Sequence, residues 1–231
     1  MADPIPTADQ DPRRTLIIGH TGGIGRALQA ALQDRGWTTT GLSRRDGLDL
    51  TDQDSVASAA NGLRDQRFDL IFNATGALEI GGVRPEKTIA AIDAKVMAAQ
   101  FALNATGVAL LLRDFSPLLA PGRSVFASLS ARVGSIGDNR LGGWISYRAA
   151  KAAQNQIIRT AAIEIARRNP QAIVVALHPG TVATPLTRDY AGRHPTMDAA
   201  ASATALLDVI AGLTPADSGG FFDWKGAPVP W

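Results

Sequence analysis

Tyr147 and Lys151 stand four residues apart in Ser146-Tyr147-Arg148-Ala149-Ala150-Lys151, a run of good helix formers. That spacing is about one helical turn, so both side chains share a helix face. A phenol beside an ammonium is expected to lose its proton more readily than an isolated tyrosine. Tyr147 then becomes a proton donor or acceptor usable near neutral pH. Surface helices carry the same spacing by chance, so the pair signifies chemistry only if other elements bring a reactant to it.

One such element lies near the start of the chain. Thr15-Leu16-Ile17-Ile18 has strand character and runs directly into Gly19-His20-Thr21-Gly22-Gly23-Ile24-Gly25. A helical pattern follows from Arg26 and closes at Gly36. Glycines between a strand and a helix let backbone N–H groups approach a pyrophosphate at the positive helix end. The spacing is G-x-x-x-G-x-G rather than the G-x-G-x-x-G of most dinucleotide folds. A second strand, Thr38 to Leu42, ends in Ser43-Arg44-Arg45. No acid stands at Ser43 to hold a ribose 2′-hydroxyl, and the following guanidiniums suit a 2′-phosphate, so NADP(H) is expected in preference to NAD(H). In Asp49-Leu50-Thr51-Asp52, Thr51 or Asp52 is read as the N-cap of the next helix, and Asp49 as a partner for the adenine amine.

Asp69 to Phe72 is the third strand, ending in Asn73-Ala74-Thr75-Gly76, where small residues let a ligand lie against the backbone. Residues 86–119 are expected to be mostly helical, with a break near Thr106-Gly107; Asn104, a poor helix-interior residue, is read as a local cap or bend. A fourth strand, Ser124 to Ser128, leads to Ser130 and Ser135, which are either turn formers or a substrate-orienting group. The Tyr/Lys helix runs from Ser146 to about Arg168, with an alanine-rich face for packing on a sheet or a partner subunit. The strand Ala172 to Leu177 closes in His178-Pro179-Gly180-Thr181-Val182-Ala183-Thr184, and the polar stretch 186–197 is long enough for a lid. A helix over 198–212 and a final strand within 219–224 complete the chain.

Strands alternating with helices predict an α/β domain, a doubly wound parallel sheet, over residues 13–231 after a flexible tail at 1–12. With 45% hydrophobic and 19% charged residues and a net charge of +2, neither a nucleic-acid nor a membrane surface is indicated, and a cytoplasmic location is the expectation. Cysteine is absent and His20, His178 and His194 lack ligand spacing, so no metal is expected.

In order and approximate spacing, Gly19/Gly23/Gly25, Asp49, Asn73-Ala74-Thr75-Gly76, Asn104, Tyr147/Lys151 and Pro179-Gly180 resemble the short-chain dehydrogenase/reductase family. Residues 130–136, Gly142-Gly143-Trp144 and Tyr147-Arg148 look like its branch of C-factor signalling proteins and small carbonyl reductases. The resemblance implies a Rossmann-like sheet of about seven strands and hydride exchange between nicotinamide and a small carbonyl compound or alcohol. It implies that Tyr147 is the acid/base, that Lys151 holds the nicotinamide ribose, and that Asn104 positions a water. Cofactor contacts are implied for Gly19, Gly22, Gly23, Ile24, Gly25, Ser43, Arg44, Arg45, Asp49, Leu50, Asn73, Ala74, Gly76, Tyr147, Lys151, Pro179, Gly180, Val182 and Thr184. A homodimer or homotetramer is implied as well. The family's serine falls at Ala131, so Ser130 is taken as the substrate-orienting hydroxyl, with Ser128 and Ser135 behind it. Ile18 replaces the usual Thr, and Ala74-Thr75 replace Asn-Ala, which puts a strand-bridging hydrogen bond in question. A cofactor-binding regulatory protein with little catalysis is the alternative.

Overall fold

Leu16 to Ile18, Leu70 to Phe72, Val125 to Ala127 and Ile173 to Leu177 are each at most 2% exposed. Apolar runs without polar alternation belong in strands covered on both faces, the signature of a parallel sheet between helix layers. The computed structural model describes residues 12–183 and 196–231. These runs form its central strands: β1 (Arg14–Ile18), β3 (Leu70–Asn73), β4 (Ser124–Leu129) and β5 (Ala172–His178), flanked by β2 (Thr38–Leu42) and β6 (Phe221–Asp223). The sheet is parallel throughout, in the order β2-β1-β3-β4-β5-β6.

Helices α1 (Gly23–Asp34) and α6 (Ala199–Gly212) cover one face, where Leu28, Leu32 and Leu206 pack on Ile17, Phe72 and Val175. The other face carries α2 (Gln53–Asn61), α4 (Gly107–Phe115) and α5 (Ile145–Arg168), with Val56, Leu111, Phe115 and Ile158 against Leu16, Ile71, Phe126 and Val174. The chain moves outward from β1 to β2, then crosses back to β3. That reversal opens a crevice at the carboxyl ends of β1 and β3, the place where open α/β sheets bind ligands.

Six strands occur among the described residues, against about seven expected. Residues 43–52 leave β2 through a 3-10 turn at Arg44–Asp46, a left-handed Gly47 and the Asp49 turn, and so reach α2 without forming another strand. Residues 86–93, expected to be helical, are instead an irregular segment with a short 3-10 turn at Ile89–Ala91, because Asp93 caps α3 (Ala94–Phe101) through the amides of Lys95 and Val96. From α3 the helix continues through a π turn at Ala102–Thr106 into α4. Ala94–Leu118 is long and apolar enough to cross a membrane, but its Val108, Leu111, Leu112 and Phe115 are spent on the core.

Candidate active site

The glycine turn is shaped by close approach. A Cβ at Gly25 would lie 2.2 Å from the Gly19 carbonyl oxygen, and one at Gly19 (φ +87°) would lie 3.1 Å from the Ala74 backbone carbon. Helix α1 starts at Gly23 without any side-chain cap, and its first bond runs from the Arg26 amide to the Gly22 carbonyl at 2.9 Å. The amides of Gly23, Ile24 and Gly25 are therefore the open donors of a helix N-terminus, set against bare backbone at Ala74. This cradle fits a dinucleotide pyrophosphate.

At the end of β2, Ser43 is buried; its hydroxyl donates to Asp46 Oδ2 at 2.6 Å and accepts from the Arg45 amide at 3.2 Å. Arg44 and Arg45 stay exposed beside the crevice. His20, from the glycine turn, lies over β2 so closely that a Cβ at Gly41 would come within 2.5 Å of its ring. Its Nε2 sits 3.0 Å from Asp46 Oδ2 and its Nδ1 3.3 Å from Gln29 Oε1. His20 thus ties the glycine turn to the arginine-bearing turn, a link that residue spacing does not disclose. Asp49 turns back on its own loop, accepting from the Thr51 amide (2.8 Å) and hydroxyl (2.7 Å), and these bonds lower its pKa despite slight burial. Asp52 caps α2, and Leu50 is buried against Gly107.

Beyond β3, Asn73 Nδ2 donates to Ser128 Oγ at 2.9 Å while its Oδ1 accepts from the Thr75 amide and hydroxyl. A bond between strands β3 and β4 is therefore present without the family's second Asn, with Thr75 supporting its donor. Asn104 is 1% exposed in the π turn. It donates to Ala77 O (2.9 Å) and Gln100 Oε1 (2.7 Å) and accepts from the Ala77 amide at 3.1 Å. The π turn supplies the bend expected there, and such turns recur at functional sites.

Asn104, Gly76, Lys151 and Tyr147 meet in one place. A Cβ at Gly76 (φ +136°) would lie 3.0 Å from Asn104 Oδ1 and 3.2 Å from Lys151 Nζ. Lys151 Nζ is 5.9 Å from the centre of the Tyr147 ring, and Trp144 meets that ring edge-on. Both titratable side chains are buried. Burial disfavours charge, so it raises the Tyr147 phenol well above its ordinary value and pulls Lys151 down to about 7. The expected depression of the phenol by the ammonium is not what sets it here: desolvation of both groups dominates. Lys151 Nζ donates to Gln154 Oε1 (2.8 Å) and Leu129 O (3.2 Å).

Glu86 was missed by sequence reasoning, and no local signal marks it. Its carbonyl accepts the Trp144 amide at 2.6 Å; its carboxylate accepts the Ser146 amide at 2.7 Å and the Ser146 hydroxyl. Burial opposes the carboxylate's charge, but the bonds from Ser146 outweigh it and hold the pKa below the ordinary value. The start of the Tyr147 helix, where Trp144 adopts a left-handed conformation (φ +52°) and supplies no cap of its own, is thus anchored from a loop sixty residues away.

On the remaining side, Ser130 is 4% exposed and donates inward to Asn155 Oδ1 at 2.7 Å. Gly180 (φ +80°) leaves room for Trp224, and Pro179 O accepts the Ser202 hydroxyl of α6 at 3.0 Å. Val182 is buried and bridges to Met197. Thr184 and most of the 186–197 stretch read as a lid lie outside the described residues.

Comparison with known proteins agrees with this arrangement. Residues 46–219 match the family model described as enoyl-(acyl carrier protein) reductase. The chain is 30% identical to the 1-hydroxy-2-glutathionyl-2-methyl-3-butene dehydrogenase of Rhodococcus sp. (strain AD45), over 94% of this chain and 98% of that protein. It is 38% identical to the C-signal protein of Myxococcus xanthus over 61% of this chain and 81% of that one. Among solved structures, a short-chain dehydrogenase/reductase from Burkholderia multivorans with bound NADP superposes with a TM-score of 0.80 at 24% identity, covering 95% of this chain and 100% of that one. A glycine cradle at the sheet reversal, a Tyr/Lys pair at its edge and homology along nearly the whole chain place this protein in the short-chain dehydrogenase/reductase family.

Proposed function

We propose that this protein is an NADP(H)-dependent oxidoreductase that interconverts a small carbonyl compound and its alcohol. The observation that carries the reading is the convergence of Tyr147, Lys151, Asn104 and Gly76 at the carboxyl edge of the sheet, beside the glycine cradle. Arg44 and Arg45 at the end of β2, with no acid at Ser43, and the NADP held by the Burkholderia structure support the choice of cofactor.

A bound nicotinamide supplies or removes the hydride, two electrons at the carbonyl carbon. The open amides of Gly23, Ile24 and Gly25 hold the pyrophosphate, and Arg44 with Arg45 pairs with the 2′-phosphate. Burial keeps Tyr147 protonated, which suits the donor of a proton to the carbonyl oxygen during reduction. Lys151, whose pKa burial brings down to about 7, offers N–H groups to the nicotinamide ribose. Asn104, fixed by Gln100 and Ala77, positions a water for the proton relay. Assembly into a homodimer or homotetramer is part of the proposal, supported by Ile163, 51% exposed on the long helix α5.

The test is Tyr147→Phe, assayed as NADPH oxidation with aldehydes, ketones and quinones. The variant is expected to lose at least about 100-fold in kcat while binding NADPH with unchanged affinity. Undiminished turnover overturns the mechanism.

A further inference from the structure

Charge that develops on a carbonyl oxygen during reduction is stabilised by hydrogen-bond donors already aimed at it, and one such donor is commonly worth a hundredfold or more. Beside Tyr147, the hydroxyls at the end of β4 and in the loop after it are the obvious source of a second donor, and Ser128, Ser130 and Ser135 are all buried. Ser128, 0% exposed, accepts from Asn73 Nδ2 and from Gln154 Nε2. Ser130 donates to Asn155, and Ser135, 1% exposed, donates to the Pro230 carbonyl. Ala131 has nothing to donate.

The neighbouring strand ends in a group that does. Leu129 pairs with Leu177, and the Ser130 amide donates to Leu177 O at 2.8 Å, so Ser130 and His178 are the next residues outward on adjacent strands. Side chains alternate along a strand. Val174, Ala176 and Phe126 face the layer that contains α5, so His178 belongs to that face too, the one that carries Tyr147 and Lys151. His178 is only partly buried, unlike the six residues before it in β5. Its Nδ1 accepts from the Arg132 amide at 3.4 Å, which places the ring against the backbone just past Ala131. An imidazole that accepts at Nδ1 carries its hydrogen on Nε2. The ring stays neutral near pH 7: burial and the Arg132 charge bring its pKa down to about 4 against the opposing Asp223.

We propose that the Nε2–H of His178 is the second hydrogen-bond donor to the substrate carbonyl oxygen, in place of the hydroxyls that β4 and its following loop keep for themselves. The inference rests on the carbonyl reductase reading above. His178 then acts as an uncharged electrophile: it donates a hydrogen bond to the oxygen that receives the Tyr147 proton and itself neither gains nor loses a proton.

Two substitutions separate this role from a structural one. In His178→Asn the side-chain oxygen falls near the Nδ1 position and still accepts the Arg132 amide, but nothing reaches as far as Nε2. In His178→Gln the amide N–H reaches the Nε2 position. Unaltered protein and both variants are assayed for NADPH oxidation with benzaldehyde, hexanal and phenanthrenequinone, and for NADPH affinity by fluorescence. Asn is expected to lower kcat about 100-fold, Gln to keep at least about a tenth of the rate, and NADPH affinity to be the same in all three proteins. Heteronuclear NMR of the unaltered protein should show the imidazole hydrogen on Nε2. Full activity in the Asn variant, equal loss in both variants, loss that tracks NADPH affinity, or a hydrogen on Nδ1 each overturns the inference while leaving the reductase reading intact. Absence of turnover by the unaltered protein with every carbonyl overturns both.

Discussion

Lys151 and Tyr147 show how far a single side chain's chemistry departs from its sequence context. Proximity alone argues that an ammonium acidifies a phenol, but both groups are buried and each is driven toward its neutral form. This makes a prediction about stability. Lys151 has a pKa of about 7 in the fold against 10.5 for the free side chain. Between those values the unfolded chain binds a proton that the fold does not, so stability rises with pH across that window, by up to about 1.4 kcal/mol per pH unit. Below about pH 7 the cost of burying the ammonium is present in full. Lys151→Met should therefore flatten the dependence of urea-unfolding stability on pH between about 7 and 9 relative to the unaltered protein. Parallel curves for the two proteins would show that the amine is not desolvated. Tyr147, raised by burial, acts in the opposite sense only above its ordinary pKa of 10, beyond that window.

At the level of elements, helix α5 depends on a partner outside itself. Trp144 at its N-cap is left-handed and caps nothing, while Glu86 receives the amide and hydroxyl of Ser146, one residue before Tyr147. Helix caps are worth about 0.5–2 kcal/mol, and this one also fixes where the phenol begins its turn. Glu86→Ala should lower stability by about 1 kcal/mol and reduce kcat severalfold at unchanged NADPH affinity. A fall in stability with kcat intact would confine Glu86 to a structural role. The helical pattern of α5 was legible because its residues repeat the requirement locally, and Asn169-Pro170 ends it. The irregular path of residues 86–93 was not, since its two ends are fixed by other partners, Glu86 by Trp144 and Ser146 and Asp93 by the first amides of α3. Likewise Asn104 advertised a bend, but that the bend is a π turn buttressed by Gln100 and Ala77 follows from packing.

The whole molecule places an uncapped helix N-terminus, an arginine turn and a Tyr/Lys pair along one sheet edge. A ligand that spans them and binds only the folded state adds about 2.7 kcal/mol at a hundred times its Kd. NADPH should therefore raise Tm more than NADH does at equal concentration, and Arg44→Ala should remove most of that difference. Equal shifts from both cofactors in the unaltered protein would discard the 2′-phosphate assignment.

The sequence by itself determined the parallel α/β architecture, the family, the glycine cradle, the arginines at the end of β2 and the Tyr/Lys pair. Each of these is written in short-range spacing: apolar runs, glycines where backbone must approach backbone, side chains one turn apart. Only the tertiary structure decided that Ser130 turns inward to Asn155, that Glu86 caps α5, that His20 joins two loops and that His178 receives the Arg132 amide. Those outcomes depend on partners 25 to 60 residues away. A buried donor takes whichever acceptor the fold brings to it, and water no longer competes for it.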